Sequence, residues 1–134
     1  MKESSLYPLV KNFLDERGYE AIINALYGKY SPLQIDVIAL NKRSLEVLSV
    51  EVKVNKFQRA LQQGLQRMLF SDYVVLAFPE VYANHVNQHF SKVLEIYGIG
   101  LYSINGNVKE ILMPKRSSLI IPSLKLKLIK NIWG

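Results

Sequence analysis

Three charged residues stand inside two otherwise apolar, β-branched runs: Asp36 in "IDVIAL", and Glu51 and Lys53 in "SVEVKV". Two carboxylates that converge on one point can hold a divalent cation through oxygen. Mg²⁺ commonly needs only one or two of them, beside water and substrate phosphate. Glu51 and Lys53 are two apart on a strand and so project from one face. An ammonium group placed there can orient or help deprotonate an attacking water, or stabilise charge developing on a phosphate. The set suits phosphodiester hydrolysis with Mg²⁺, or Mn²⁺ in its place, as cofactor. V-E-V-K alternation is also what any amphipathic strand looks like, so the three residues have a plain structural reading too. Asp36 tips the balance, because it interrupts "QIDVIAL" where a buried strand prefers an apolar residue.

Other candidates carry less. Arg59, Gln63 and Arg67 recur at i, i+4 and i+8 and would line one edge of a helix with phosphate donors; an ordinary polar helix edge has the same spacing. Lys56 just before that helix, and Lys115 and Arg116 in the tail, extend the set of phosphate-binding cations. His85 and His89 share a helix face at i, i+4, but no acidic motif lies between them, and a solvated face is the default reading. No Gly-rich phosphate loop precedes a helix, and no Ser stands in a G-x-S-x-G setting, so nucleotide binding by a phosphate loop and nucleophilic hydrolysis have no support.

The elements that must position these residues follow from periodicity. "SSLYPLVKNFLDERGY" places Leu6, Leu9, Val10, Phe13 and Leu14 at helical spacing, with Gly18 as the stop. "YEAIINAL" and "LQIDVIAL" read as strands separated by "YGKYSP". "NKRS" then turns the chain into a third, half-buried strand, "LEVLSVEVKV", so Asp36 and Glu51 fall on neighbouring strands. From Lys56 the period changes to 3.6, and a second helix should lie on the sheet. "YVVLAF" reads as a strand covered on both faces, followed by a third helix from about Glu80 to Tyr97. A hairpin turning at Asn105 and Gly106 ends the core. The order predicts an α/β fold with a central mixed sheet flanked by helices, αβββαβ and then a helix and a β-hairpin. Residues 115–134 form a basic extension in which Leu124, Leu126 and Leu128 alternate with Lys125 and Lys127. An edge strand, a nucleic-acid arm or an oligomer contact are the readings of that tail.

The chain has 134 residues, 49% of them hydrophobic, which suits a single domain over 1–134. Seventeen Lys and Arg against eleven Asp and Glu leave a net charge of +6, so a polyanion, first of all nucleic acid, is the expected partner. The absence of cysteine excludes disulfides, a thiolate nucleophile and a cysteine-built zinc site. No stretch approaches the length of a signal peptide's apolar core or a membrane span, so a cytoplasmic protein without membrane attachment is expected.

On these residues the chain resembles the PD-(D/E)XK nuclease superfamily, over roughly residues 5 to 113. "IDVIAL" is similar to the strand carrying that family's Asp, and "VEVKV" to the strand carrying its E-x-K. The resemblance implies a restriction-endonuclease-like core and a metal-dependent endonuclease acting on DNA. Asp36 and Glu51 would be its metal ligands, Lys53 its catalytic lysine, and Gln63 the glutamine that approaches the site from the helix. Where many members supply a further acid, this sequence has Tyr7 and Asn24, so Glu3, Glu16 and Glu20 are the carboxylates that folding could bring in. The Pro of the family's Pro-Asp pair is matched loosely by Pro32, four residues before Asp36. The alternative is a degenerate member that binds DNA or assembles without cleaving. Cutting both strands needs two active sites, which implies a homodimer.

Overall fold

The structure, a computed structural model, describes residues 2–28 and 33–134; Pro32 and most of the loop predicted around it lie outside them. A short 3₁₀ turn at Glu3–Ser5 leads into helix α1 (Tyr7–Glu16). Pro8 sits in the first turn of α1, where its missing N–H costs nothing. Strands β1 (Glu20–Leu26), β2 (Gln34–Asn41) and β3 (Glu46–Val52) follow, then helix α2 (Phe57–Arg67), strand β4 (Tyr73–Pro79), helix α3 (Glu80–Tyr97) and the hairpin β5 (Gly100–Asn105) and β6 (Asn107–Leu112). The tail ends in helix α4 (Pro122–Trp133).

The strands form one open, six-stranded sheet in the order β1-β2-β3-β4-β5-β6. Pairing is antiparallel except for β3 with β4 and β4 with β5, which run parallel through the crossovers that contain α2 and α3. The fold is therefore α/β with a mixed sheet, as the periodicity predicts. Alternation distributes side chains to two covered faces. On one face, Tyr7, Val10 and Leu14 of α1 pack on Val37, Val50, Val75 and Tyr102. On the other, Phe57, Leu61 and Val86 of α2 and α3 pack on Val74, Leu76 and Leu101. Leu128 of α4 closes over Ile38, Leu40, Val47 and Phe70 on the same side.

Two expectations are corrected. The tail is a helix and neither an edge strand nor a free arm. Leu124, Leu128, Ile129, Ile132 and Trp133 all pack against one cluster, at i, i+4, i+5, i+8 and i+9, which is a helical stripe. The period-2 run of Leu and Lys was the weaker pattern. β3 is buried on both faces, not half-buried, because its polar residues find internal partners: Ser49 Oγ lies 2.6 Å from Ser71 Oγ, and Glu51 meets Arg67. Among the described residues no helix is long and apolar enough to cross a membrane.

Candidate functional site

Asp36 and Glu51 meet at a fork. The antiparallel pairing of β2 with β3 runs from Asn41↔Glu46 to Val37↔Val50 and stops there, one residue short of both acids. On the other side of β2, Asn24 stands opposite Asp36 in register, between Ile23↔Val37 and Ala25↔Ile35, and takes a φ of 55°. Asn is among the residues that tolerate this left-handed conformation. The alternation slips by one at this point in both strands: Ile23 and Val37 face α1, while Ala25 and Ile35 join the opposite cluster. Strict alternation would send Asp36 with Ile38 and Leu40 toward α4. Instead its carboxylate fills the fork, where Oδ2 accepts the Val52 amide at 2.8 Å and Oδ1 accepts the Tyr7 hydroxyl at 3.1 Å.

Glu51 turns the other way, toward α2, and is 1% exposed. Its Oε1 accepts from the Arg67 guanidinium at 3.0 Å, and the same Arg67 nitrogen donates to the Gln34 carbonyl at 3.1 Å. Oε2 is buried without a hydrogen-bond partner, as are Gln63 Oε1 and Arg67 Nε. Burial, followed by the negative charge of Asp36, pushes the Glu51 carboxyl up to about 7, against the opposing pull of Arg67 and Lys53. The charge of Asp36 is thus felt by Glu51, although the two carboxylates have different hydrogen-bond partners.

Lys53 follows the last residue of β3; its backbone N–H still donates to the Ala77 carbonyl at 3.1 Å. Its ammonium lies 3.9 Å from Glu3 Oε1, and Glu3 Oε2 accepts the Val54 amide at 3.0 Å. Of the three carboxylates left open as a further acid, Glu3 is the one that lies beside Lys53. Glu20 pairs instead with Lys42, and Glu16 lines a cleft between α1 and the β5–β6 turn. The Tyr7 hydroxyl is raised above its ordinary range by burial, then by Asp36, to which it donates, and by the charges of Glu3 and Glu51.

The remaining candidates separate by exposure. Lys56, Arg59 and Lys115 are exposed. Arg67 does not line an exposed helix edge: it is 2% exposed and spent on Glu51 and Gln34, so it is not a phosphate donor. Phe57, Ala60, Leu61, Gly64 and Arg67 are all buried along one stripe of α2. Arg116 is exposed but pairs with Glu46 and lies 3.6 Å from Asp72. The His85 and His89 rings are 4.5 Å apart on exposed positions of α3. No group of three or more His, Asp or Glu is placed to hold a metal ion among the described residues.

The oxygens at the fork are of the kind a hard divalent cation takes, although Asp36 turns toward Tyr7 of α1 and Glu51 toward Arg67 of α2. Glu51 offers a buried oxygen with no partner, and each Asp36 oxygen accepts one hydrogen bond while keeping a second lone pair. Compared with known proteins, the chain matches no family model, no curated protein and no solved structure.

Proposed function

We propose that the protein is a Mg²⁺-dependent nuclease of the restriction-endonuclease-like kind, hydrolysing phosphodiester bonds in DNA as a cytoplasmic homodimer. The observation that carries this reading is Glu51: a fully buried carboxylate with one unpartnered oxygen, beside Asp36, at the point where two strands part. Asp36 and Glu51 would hold the ion, which supplies Lewis acidity and a water acidic enough to attack near neutral pH. Lys53 brings a positive charge to the phosphate or the water, and Glu3 restrains the lysine from the solvent side. Tyr7 fixes the Asp36 carboxylate, and Arg67 fixes that of Glu51. Exposed Lys56 and Arg59 beside the site would contact the backbone of the nucleic acid.

One observation favours a second reading, a DNA-binding module without cleavage: a guanidinium already occupies one oxygen of Glu51. Labelled linear, branched and single-stranded DNA, titrated with Mg²⁺ or Mn²⁺, separates the two. Cleavage is expected, with Glu51→Gln abolishing it while leaving binding intact or tighter, because a repulsive charge is gone. Lys53→Ala should stop cleavage and weaken binding slightly. No cleavage across substrates and ions, with DNA still bound, would replace the enzyme by the binding module.

A further inference from the structure

At the other end of α1 from Tyr7, a cleft of about 310 Å³ opens on the same face of the sheet. A ten-residue helix is about 15 Å long and leaves part of a six-stranded face uncovered. The sequence fills that gap with aromatic and acidic side chains. Leu14 and Leu48 form the apolar floor, Tyr19, Tyr73 and Tyr102 the walls, and Glu46 and Glu110 add two carboxylates. The strand register places them: Tyr102 is the Cα partner of Glu110, and Leu48 that of Tyr73.

We propose that this cleft binds a small organic cation, an amine or methylated ammonium group, against its tyrosine rings. The first support is composition. Aromatic faces attract cations through their quadrupole, most strongly where water is excluded, and the two carboxylates add charge of the right sign. The second is Tyr102, which is 2% exposed and lines the cleft, yet no group among the described residues hydrogen-bonds to its hydroxyl. Its ring is buried while its oxygen still reaches solvent through the cleft, where it is available to a ligand. The third is the local field. Burial and then Glu46, Tyr73, Glu110 and Asp72 raise the Tyr19 hydroxyl, with Arg17 in the lining and Arg116 on Glu46 as the opposing cations.

The cleft's own rim already displays this chemistry. The Arg116 guanidinium lies 5.8 Å from the Tyr73 ring and pairs with Glu46, while Arg17 lies 3.7 Å from Glu110 and 4.0 Å from the Phe13 ring. Both guanidiniums are half or more exposed and sit at the mouth, where a ligand can displace them at little cost. The volume lies at the lower end for small-molecule sites and suits a single head group.

The test uses choline as the cationic probe, 3,3-dimethylbutan-1-ol as its neutral isostere and inorganic phosphate as the anionic arm, each titrated into the full chain by NMR. Choline is expected to shift the ring resonances of Tyr19, Tyr73 and Tyr102, saturating roughly tenfold below the neutral isostere. Glu110→Gln, an isosteric change at a side chain 22% exposed, should weaken choline binding about fivefold with the fold retained. Glu95→Gln, on the outer side of α3, should leave it unchanged. Equal affinity for the alcohol, shifts by phosphate at the same rings, or no shift in these tyrosines would overturn the proposal.

Discussion

Glu51 is a carboxylate held where a carboxylate is costly, and Arg67 offsets only one of its oxygens. Its pKa rises from the ordinary 4.5 to about 7, so between these values the folded state binds more protons than the unfolded chain. Stability should therefore fall as pH rises through that window, by roughly 3 kcal/mol, and level off above about 7. Urea unfolding from pH 4.5 to 8 checks this: Glu51→Gln should lack the decline. Arg67→Met leaves the same carboxylate buried and unpaired and should cost about 3 to 5 kcal/mol at pH 8, less at pH 5, where Glu51 is protonated. Pairing it with Glu51→Met should recover most of the loss. The acids and the lysine were legible in the sequence because they interrupt apolar strands. Arg67 was not, because charge at i, i+4 and i+8 suggested a solvated edge, and only the sheet beneath α2 turned that edge inward.

Among the elements, α1, α3 and the β5–β6 hairpin follow from local signals: Pro8 in a first turn, Gly98 in a left-handed cap, and Asn105 with Gly106 between two strands. The slip at Asn24 and Asp36 left no such mark, since one residue with positive φ inside a strand changes the facing of its neighbours without changing composition. α2 begins just as irregularly. Lys56 caps it in a left-handed conformation, with φ 66° and no side-chain hydrogen bond. Lys56→Gly should relieve that strain and stabilise the fold by up to about 1 kcal/mol, read as a rise in the unfolding midpoint. If Lys56 contacts phosphate, the same variant should weaken DNA binding. Opposite signs on stability and affinity would set it apart from a residue with a purely structural role.

For the whole molecule, the net charge of +6 makes salt the controlling variable of any nucleic-acid binding. Arg59→Ala should reduce the slope of log affinity against log salt by about one, whereas Arg67, buried against Glu51, should contribute nothing to it beyond its effect on folding. Fluorescence anisotropy across a salt series measures both. The single-sheet architecture was readable from the alternation of periods, while α4 was missed because a two-residue repeat masked a helical stripe. Strand order carries one more consequence. Each strand lies beside the next one along the chain, from β1 to β6. Closing each pair thus brings together only neighbouring segments, and the entropy lost per step stays small. The sheet can grow in the direction in which a ribosome releases it. The fork of Asp36 and Glu51 can form once β3 has emerged, before the Arg67 that will hold Glu51 has left the exit tunnel.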